Sequence, residues 1–207
     1  MSVFVAEELS EVLNTKVVIG RINMGLLNRI IIDDVLLDDQ SGQEMLKVTR
    51  LSAKFDIMPF FKGKISISSV QLFGFNINLR KETPDSPPNF KFVLDAFASK
   101  DTVKKENSLD LRINSILIRR GRMSYHVLSE EETPGKFNAK HIQLQNIIAN
   151  ISLKALSKDS LNLGIKRLSL DEKASGFSLK KMSLKLVANN KQTNIDNFTI
   201  ELPETSL

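Results

Sequence analysis

Leu163-Gly164-Ile165-Lys166-Arg167-Leu168-Ser169-Leu170 carries the beat that decides the fold of this chain: apolar-x-apolar-x-x-apolar-x-apolar. Alternation with period two puts every second side chain on one side of a strand. The beat recurs at Val17, Ile19, Ile22, Met24; at Ile30, Ile32, Val35, Leu37; at Leu46, Val48, Leu51, Ala53; and at Ile65, Ile67, Val70, Leu72. It resumes at Leu111, Ile113, Ile116, Ile118; at Phe137, Ala139, Ile142, Leu144; at Phe177, Leu179, Met182, Leu184; and, more weakly, at Thr193, Ile195, Phe198, Ile200. A repeated signature predicts a repeated structural unit. The added residue in the middle shifts the parity. Either a β-bulge keeps both halves on one face, or the strand bends from one sheet surface onto another. Regular bulges would curl a sheet, so the reading is a mostly β fold: a long, antiparallel, curled sheet with one apolar face.

The 207 residues suffice for one large domain or two small ones. Apolar content is 42% but aromatic content only 6%, with no Trp, which suits an aliphatic wall better than a ligand site built on aromatic anchors. Residues 1–100 hold 12 Lys+Arg against 12 Asp+Glu, and 101–207 hold 17 against 12, so the whole basic excess lies in the second half. Such a half can face solvent, an anionic membrane or nucleic acid. Without aromatic interleaving or a nucleic-acid motif, solvent is the reading and nucleic acid is not expected as a partner. The absence of cysteine removes disulfides, thiolate metal sites and cysteine nucleophiles, and leaves the compartment undecided. No stretch has the roughly 18 apolar residues of a membrane span, and no secretory signal is recognisable.

Residues 3–13 read as an amphipathic helix with Val5, Leu9, Val12 and Leu13 on one stripe. It either packs on the sheet or is the stub of a helix leaving a membrane. Strands follow at about 16–24, 28–38, 45–57 and 64–81, with Gly74 marking a second bulge or a close backbone approach. A Pro-rich stop at 83–88 leads to Asn89, a candidate N-cap, and to a helix over about 90–98 with Phe90, Val93, Leu94 and Phe97 at i, i+3, i+4 and i+7. That stripe is either core or a plug on the end of the apolar wall. After a charged loop at 100–107, strands are predicted at 109–128, 136–156, 161–171, 176–188 and 192–202, an antiparallel meander without helix-length crossovers. The division is a helix-bearing region 1–100 and a repeated-strand region 101–207, forming one continuous groove.

The chemistry-bearing residues are sparse. His126 and His141 lack any zinc-type spacing, so no metal site is expected. Glu130, Glu131 and Glu132 precede Thr133-Pro134-Gly135 in a solvated turn, whereas acid–base pairs come from separate elements facing one gap. There is no phosphate-cradling glycine pattern and no nucleophile elbow. Arg119, Arg120 and Arg122 are the densest basic cluster. They fit an exposed bent strand or, alternatively, a lipid-phosphate site at the rim of the wall. No enzyme and no cofactor are expected.

The runs Lys16-Val17-Val18-Ile19-Gly20-Arg21-Ile22, Asn28 to Leu37, Leu51-Ser52-Ala53-Lys54-Phe55-Asp56 and Lys62-Gly63-Lys64-Ile65-Ser66-Ile67 resemble the N-terminal region of AsmA-like proteins. Val70-Gln71-Leu72-Phe73, Asn78-Leu79-Arg80 and Pro87-Pro88-Asn89-Phe90-Lys91-Phe92-Val93-Leu94-Asp95-Ala96-Phe97 resemble the TamB-type translocation and assembly module proteins of Bacteroidetes more closely still. The likeness covers about 16–97 and is one of strand pattern alone over 109–202. It implies a fragment of a long periplasmic envelope protein, held in the inner membrane by an anchor absent from this chain. The body would be a taco-like groove that carries phospholipid or another acyl lipid between membranes, or serves outer-membrane assembly with a partner there.

The groove-lining residues expected from this reading are Ile65, Ile67, Val70, Leu72, Phe75, Ile77, Leu111, Ile113, Ile116, Ile118, Ile142, Leu144, Ile151, Leu153, Phe177, Leu179, Met182 and Leu184. Which strand parity faces the groove is left open. The other reading is a scaffolding domain whose wall is closed by the second sheet of a β-sandwich.

Overall fold

The computed structural model describes residues 2–26, 28–55, 67–98, 114–156, 160–189 and 191–203. Helix α1 (Ser2–Leu13) leads into β1 (Val17–Gly25), β2 (Arg29–Asp38), β3 (Glu44–Phe55) and β4 (Ile67–Lys81). Helix α2 (Lys91–Ala98) precedes β5 (Ser115–Val127), β6 (His141–Leu156), β7 (Ser160–Glu172), β8 (Ser178–Asn189) and β9 (Thr193–Glu201). The nine strands form one sheet in chain order, not closed into a barrel. Among the described residues no strand approaches any but its ladder neighbours, so the second layer of a sandwich is not seen there.

One pairing departs from the antiparallel expectation: β4 and β5 run parallel, with Leu72 beside Ile118 and Ile77 beside Met123. A parallel neighbour needs a connection long enough to return the chain to the same end of the sheet. Residues 82–114 supply it. The sheet is therefore two antiparallel meanders, β1–β4 and β5–β9, laid side by side.

The parity shift resolves in two ways: the ladders from β5 to β9 slip at bulges, whereas around Asp34 and Gly74 the facing strands carry the same extra residue and the pairs stay in register. Five strands each carry a left-handed residue: Asp34 (φ 58°) and Asn197 (53°) are the second of the beat's polar pair, whereas Gly74 (64°), Arg120 (55°) and Asn146 (54°) lie outside it. Such a residue adds a step to the strand and returns the next apolar side chain to the face of the last one. Gly, Asn and Asp take this conformation at least cost, whereas Arg120 does not belong to that group. One repeat was misphased. Phe137 and Ala139 precede β6, and Phe137 is 64% exposed, because Asn138 and its neighbours form a loop. The shift in β6 falls instead at Gln145-Asn146.

The helices sit at the β1–β3 end. Ala6 of α1 packs with Val17, Ile19, Leu37 and Met45, joined by Val5, Leu13, Phe90, Phe92 and Val93. The expected stripe of α1 is rotated: Leu9 and Val12 are exposed, and the face turned to the sheet runs through Val5, Ala6, Ser10 and Leu13. Ser10 fixes that rotation, its hydroxyl donating to the Ala6 carbonyl at 2.7 Å and accepting from Val17 N–H at 3.0 Å. Asn89 is not an N-cap. Its Oδ1 accepts from Arg80 N–H, and its Nδ2 donates to the Asn78 carbonyl and to Asp39, which ties the start of α2 to the end of β4.

Glu172 organises the β7–β8 turn from a buried position. Its carboxylate accepts from the N–H groups of Gln143, Ala174 and Ser175 and from the Ser175 hydroxyl. Burial pushes this carboxyl up, but the Ser175, Ala174 and Gln143 donors outweigh it and hold the value at about 2, below the usual 4.5. A depressed folded-state value means the charged form is the one that stabilises the fold. That contribution is complete above pH 4.5 and is lost as pH falls from there toward 2. Glu172→Gln is expected to flatten this part of the melting-temperature profile and to cost about 2 kcal/mol at pH 7. Thermal unfolding of both proteins at a series of pH values from about 2 up to neutrality checks it.

Candidate functional site

Cross-strand partners share a face of the sheet, so the ladders identify the residues of each side. Ile22, Ile32, Leu51, Leu72, Ile118, Ala149, Leu168, Met182 and Ile200 are successive partners, one from each strand. A second row runs Met24, Ile30, Ala53, Val70, Ile116, Ile151, Ile165, Leu184. These rows lie at right angles to the strands. At roughly 4.8 Å per strand, eight steps span about 38 Å of unbroken hydrocarbon.

The register fixes which residues share the apolar face. Ile67, Val70, Leu72, Phe75, Ile77, Ile116, Ile118, Ile142, Leu144, Ile151, Leu153, Leu179, Met182 and Leu184 all lie on this one face. Phe177 precedes β8 and is 47% exposed. Ile65, Leu111 and Ile113 lie outside the described residues. The opposite face is mainly polar, with Lys47 paired to Asn76, Ser52 to Gln71, Lys54 to Ser69 and Ser124 to Gln143, though Val18, Ile31, Leu36, Phe73 and Leu117 also lie on it.

The apolar face is deepest in the middle. Val48, Phe75 and Ile147 are buried together, bordered by side chains from β2 to β7. From β5 to β9 no described helix or strand packs over it. At the other end, α1 and the Phe90–Val93 segment close it. Of the four residues expected to form a plug, Phe90 and Val93 do pack there, Leu94 is 58% exposed, and the Phe97 side chain lies outside the described part. Phe92, not assigned to the stripe, takes the missing place.

Arg119, Arg120 and Arg122 are not at the rim of the apolar wall. They project from the polar face in mid-sheet, where Arg120 stacks over Phe73 at 5.1 Å and lines a shallow cleft with Arg122, Lys47 and Asn76. Beside them Asp33 is buried and paired with Arg50 at 2.6 Å. The Arg50 guanidinium, helped by Arg21, holds the Asp33 carboxyl below its usual range against the effect of burial.

Linear spacing gives His126 and His141 no shared motif, yet the β5–β6 ladder makes them direct partners. Their Nδ1 atoms are 3.0 Å apart, and a carboxylate oxygen of Glu132 lies 3.7 Å from one and 4.0 Å from the other. The signal that would have found them is the hairpin itself: two histidines at the facing ends of consecutive strands. No family model matches this sequence, and no curated protein matches it. Among the described residues no helix is long and apolar enough to cross a membrane.

Proposed function

We propose that this chain is a non-catalytic segment of a lipid-carrying groove in a cell envelope, holding the acyl chains of phospholipid or a similar lipid against the apolar face. The observation that carries this reading is the row of nine partners, Ile22 to Ile200, in which every strand contributes an aliphatic or thioether side chain. Acyl carbon laid on such a surface gains at most about 0.8 kcal/mol per CH₂. The gain is non-directional, so a lipid is held without being fixed at one site, as a conduit requires. The helices at the β1–β3 end would then mark one end of the path. Placement in the periplasm, with an inner-membrane anchor and an outer-membrane assembly partner, belongs to this proposal through the resemblance to TamB-type proteins.

The test uses the delipidated 207-residue chain and a fluorescent fatty acid. Ile116→Asp and Leu184→Asp each put a charge into the second apolar row, while Asn150→Asp puts one on the polar face. The first two are expected to lower uptake at least tenfold with far-UV circular dichroism unchanged, and the third to leave uptake intact. Equal uptake by all three would overturn the reading, as would failure of the parent chain to take up the probe.

A further inference from the structure

The geometry points to a divalent transition-metal site, best matched to Zn²⁺, formed by His126, His141 and Glu132 at the closed end of the β5–β6 hairpin. One carboxylate oxygen and two imidazole Nδ1 atoms converge here, all within 4.8 Å of one another. His141 is buried and His126 largely so, while Glu132 swings in from the exposed loop.

The tautomer of His141 is fixed by its other nitrogen. Nε2 lies 2.9 Å from the Glu130 carbonyl oxygen, which can only accept, so Nε2 carries the proton and Nδ1 presents a lone pair to the gap. A backbone carbonyl orienting the far nitrogen of a ligating histidine is the usual outer-shell support of a metal site. The Glu132 oxygen, at 3.7 and 4.0 Å, is too far from either ring to accept a hydrogen bond. Those separations suit a shared cation instead. Ligands about 2.0–2.2 Å from a tetrahedral metal lie roughly 3.3–3.6 Å from each other, so the exposed Glu132 closes in by rotating its side chain while the two Nδ1 atoms part slightly from 3.0 Å. Without metal, His126 Nδ1–H donates to His141 Nδ1; with metal, that proton moves to the His126 Nε2.

Neighbouring cations do not oppose the ion. Arg80, the strand partner of His126, is paired with Asp39 at 2.6 Å, and Lys140 is paired with Glu130 at 2.7 Å. The loop is already held in place, since Leu128 N–H donates to the Lys81 carbonyl and Ser129 N–H to the Glu82 carbonyl. Two nitrogens and one oxygen leave a fourth position for water, and this borderline-soft set fits Zn²⁺ better than Ca²⁺ or Mg²⁺. The ion would clamp Glu132 and its loop onto the ends of β5 and β6.

The experiment titrates Zn²⁺, and separately Co²⁺, into the EDTA-stripped 207-residue chain. One ion per chain, visible d–d absorption of a four-coordinate Co²⁺ centre and a Zn²⁺-dependent rise in melting temperature are expected. His126→Gln and Glu132→Gln should each weaken Zn²⁺ at least about tenfold and abolish the thermal shift, with the circular dichroism of the metal-free proteins unchanged. His141 is buried, so the test does not depend on replacing it. Absence of uptake, or uptake that is the same in a His126→Gln/Glu132→Gln double variant, overturns the assignment. Lipid uptake plays no part in the readout, so this site and the groove stand or fall separately.

Discussion

Replacing Phe75 by alanine is expected to destabilise the protein by about 3–5 kcal/mol. Phe75 is 7% exposed although, among the described residues, no second layer lies above it. Its ring gains that burial by lying across Gly121 of the neighbouring strand. A Cβ at Gly121 would stand 2.4 Å from the Phe75 Cε1 and Cζ atoms and 3.1 Å from the Ile147 Cβ. The ring therefore fills the notch left by the missing side chain and meets Ile147 from β6 over the top of β5. Alanine at 75 leaves a void that an open sheet closes poorly, because β3 and β6 are held apart by the intervening ladders. Gly121→Ala should cost roughly 1–3 kcal/mol through overpacking. Combined with Phe75→Leu, which withdraws the ring edge, it should cost less than the sum of the two. Urea unfolding of the four proteins measures this coupling. Strict additivity, or a loss below about 1 kcal/mol for Phe75→Ala, would contradict the arrangement.

The second large effect belongs to Asp39, which is 2% exposed in the β2–β3 turn. Its Oδ1 accepts from Ser41 N–H, the Ser41 hydroxyl and Gln43 N–H, and its Oδ2 from Asn89 Nδ2 and the Arg80 guanidinium. Burial raises this carboxyl, but the Ser41, Asn89 and Gln43 donors outweigh it and leave it below its usual range. Its stabilising contribution is therefore present above the ordinary carboxylate range and falls away with acidification. Asp39→Ala leaves Arg80, Asn89 and the turn N–H groups without their common acceptor, and is expected to cost about 3–5 kcal/mol. Asn89 also fixes where the Phe90–Val93 segment meets the sheet. Hydrogen exchange should accordingly quicken in α2 as well as in the turn. Quickening confined to residues 39–43 would show that Asn89 holds the helix without Asp39.

Strand existence was legible because the alternation that makes a strand amphipathic is written residue by residue, as at Leu163 to Leu170. The parity shift was legible as the added polar residue, and of the two readings of Gly74 the close approach is the one found, since a Cβ there would stand 2.7 Å from Thr49 Oγ1. Strand phasing was less secure. Phe137 and Ala139 imitate the beat, but the Glu130–Lys140 ion pair and the Asn138 side chain donating to the Glu131 carbonyl favour a loop that local pattern does not reveal. Helix faces were similarly ambiguous. Leu9 and Val12 are as apolar as Val5, and tertiary bonds such as that from Val17 N–H to the Ser10 hydroxyl select which side turns inward.

By itself, the sequence determined that this protein is a wall of amphipathic strands with aliphatic and polar faces, since side-chain parity along a strand is a local property. Only the tertiary structure decided how those faces align. The rows from Ile22 to Ile200 exist because successive ladders bring the bulges into compatible register, and the parallel β4–β5 pairing carries the rows from one meander to the next. The His126–His141–Glu132 cluster is likewise invisible along the chain. Its members meet through a cross-strand partnership and a returning loop, and proximity of that kind is set by pairing in space, not by spacing in sequence.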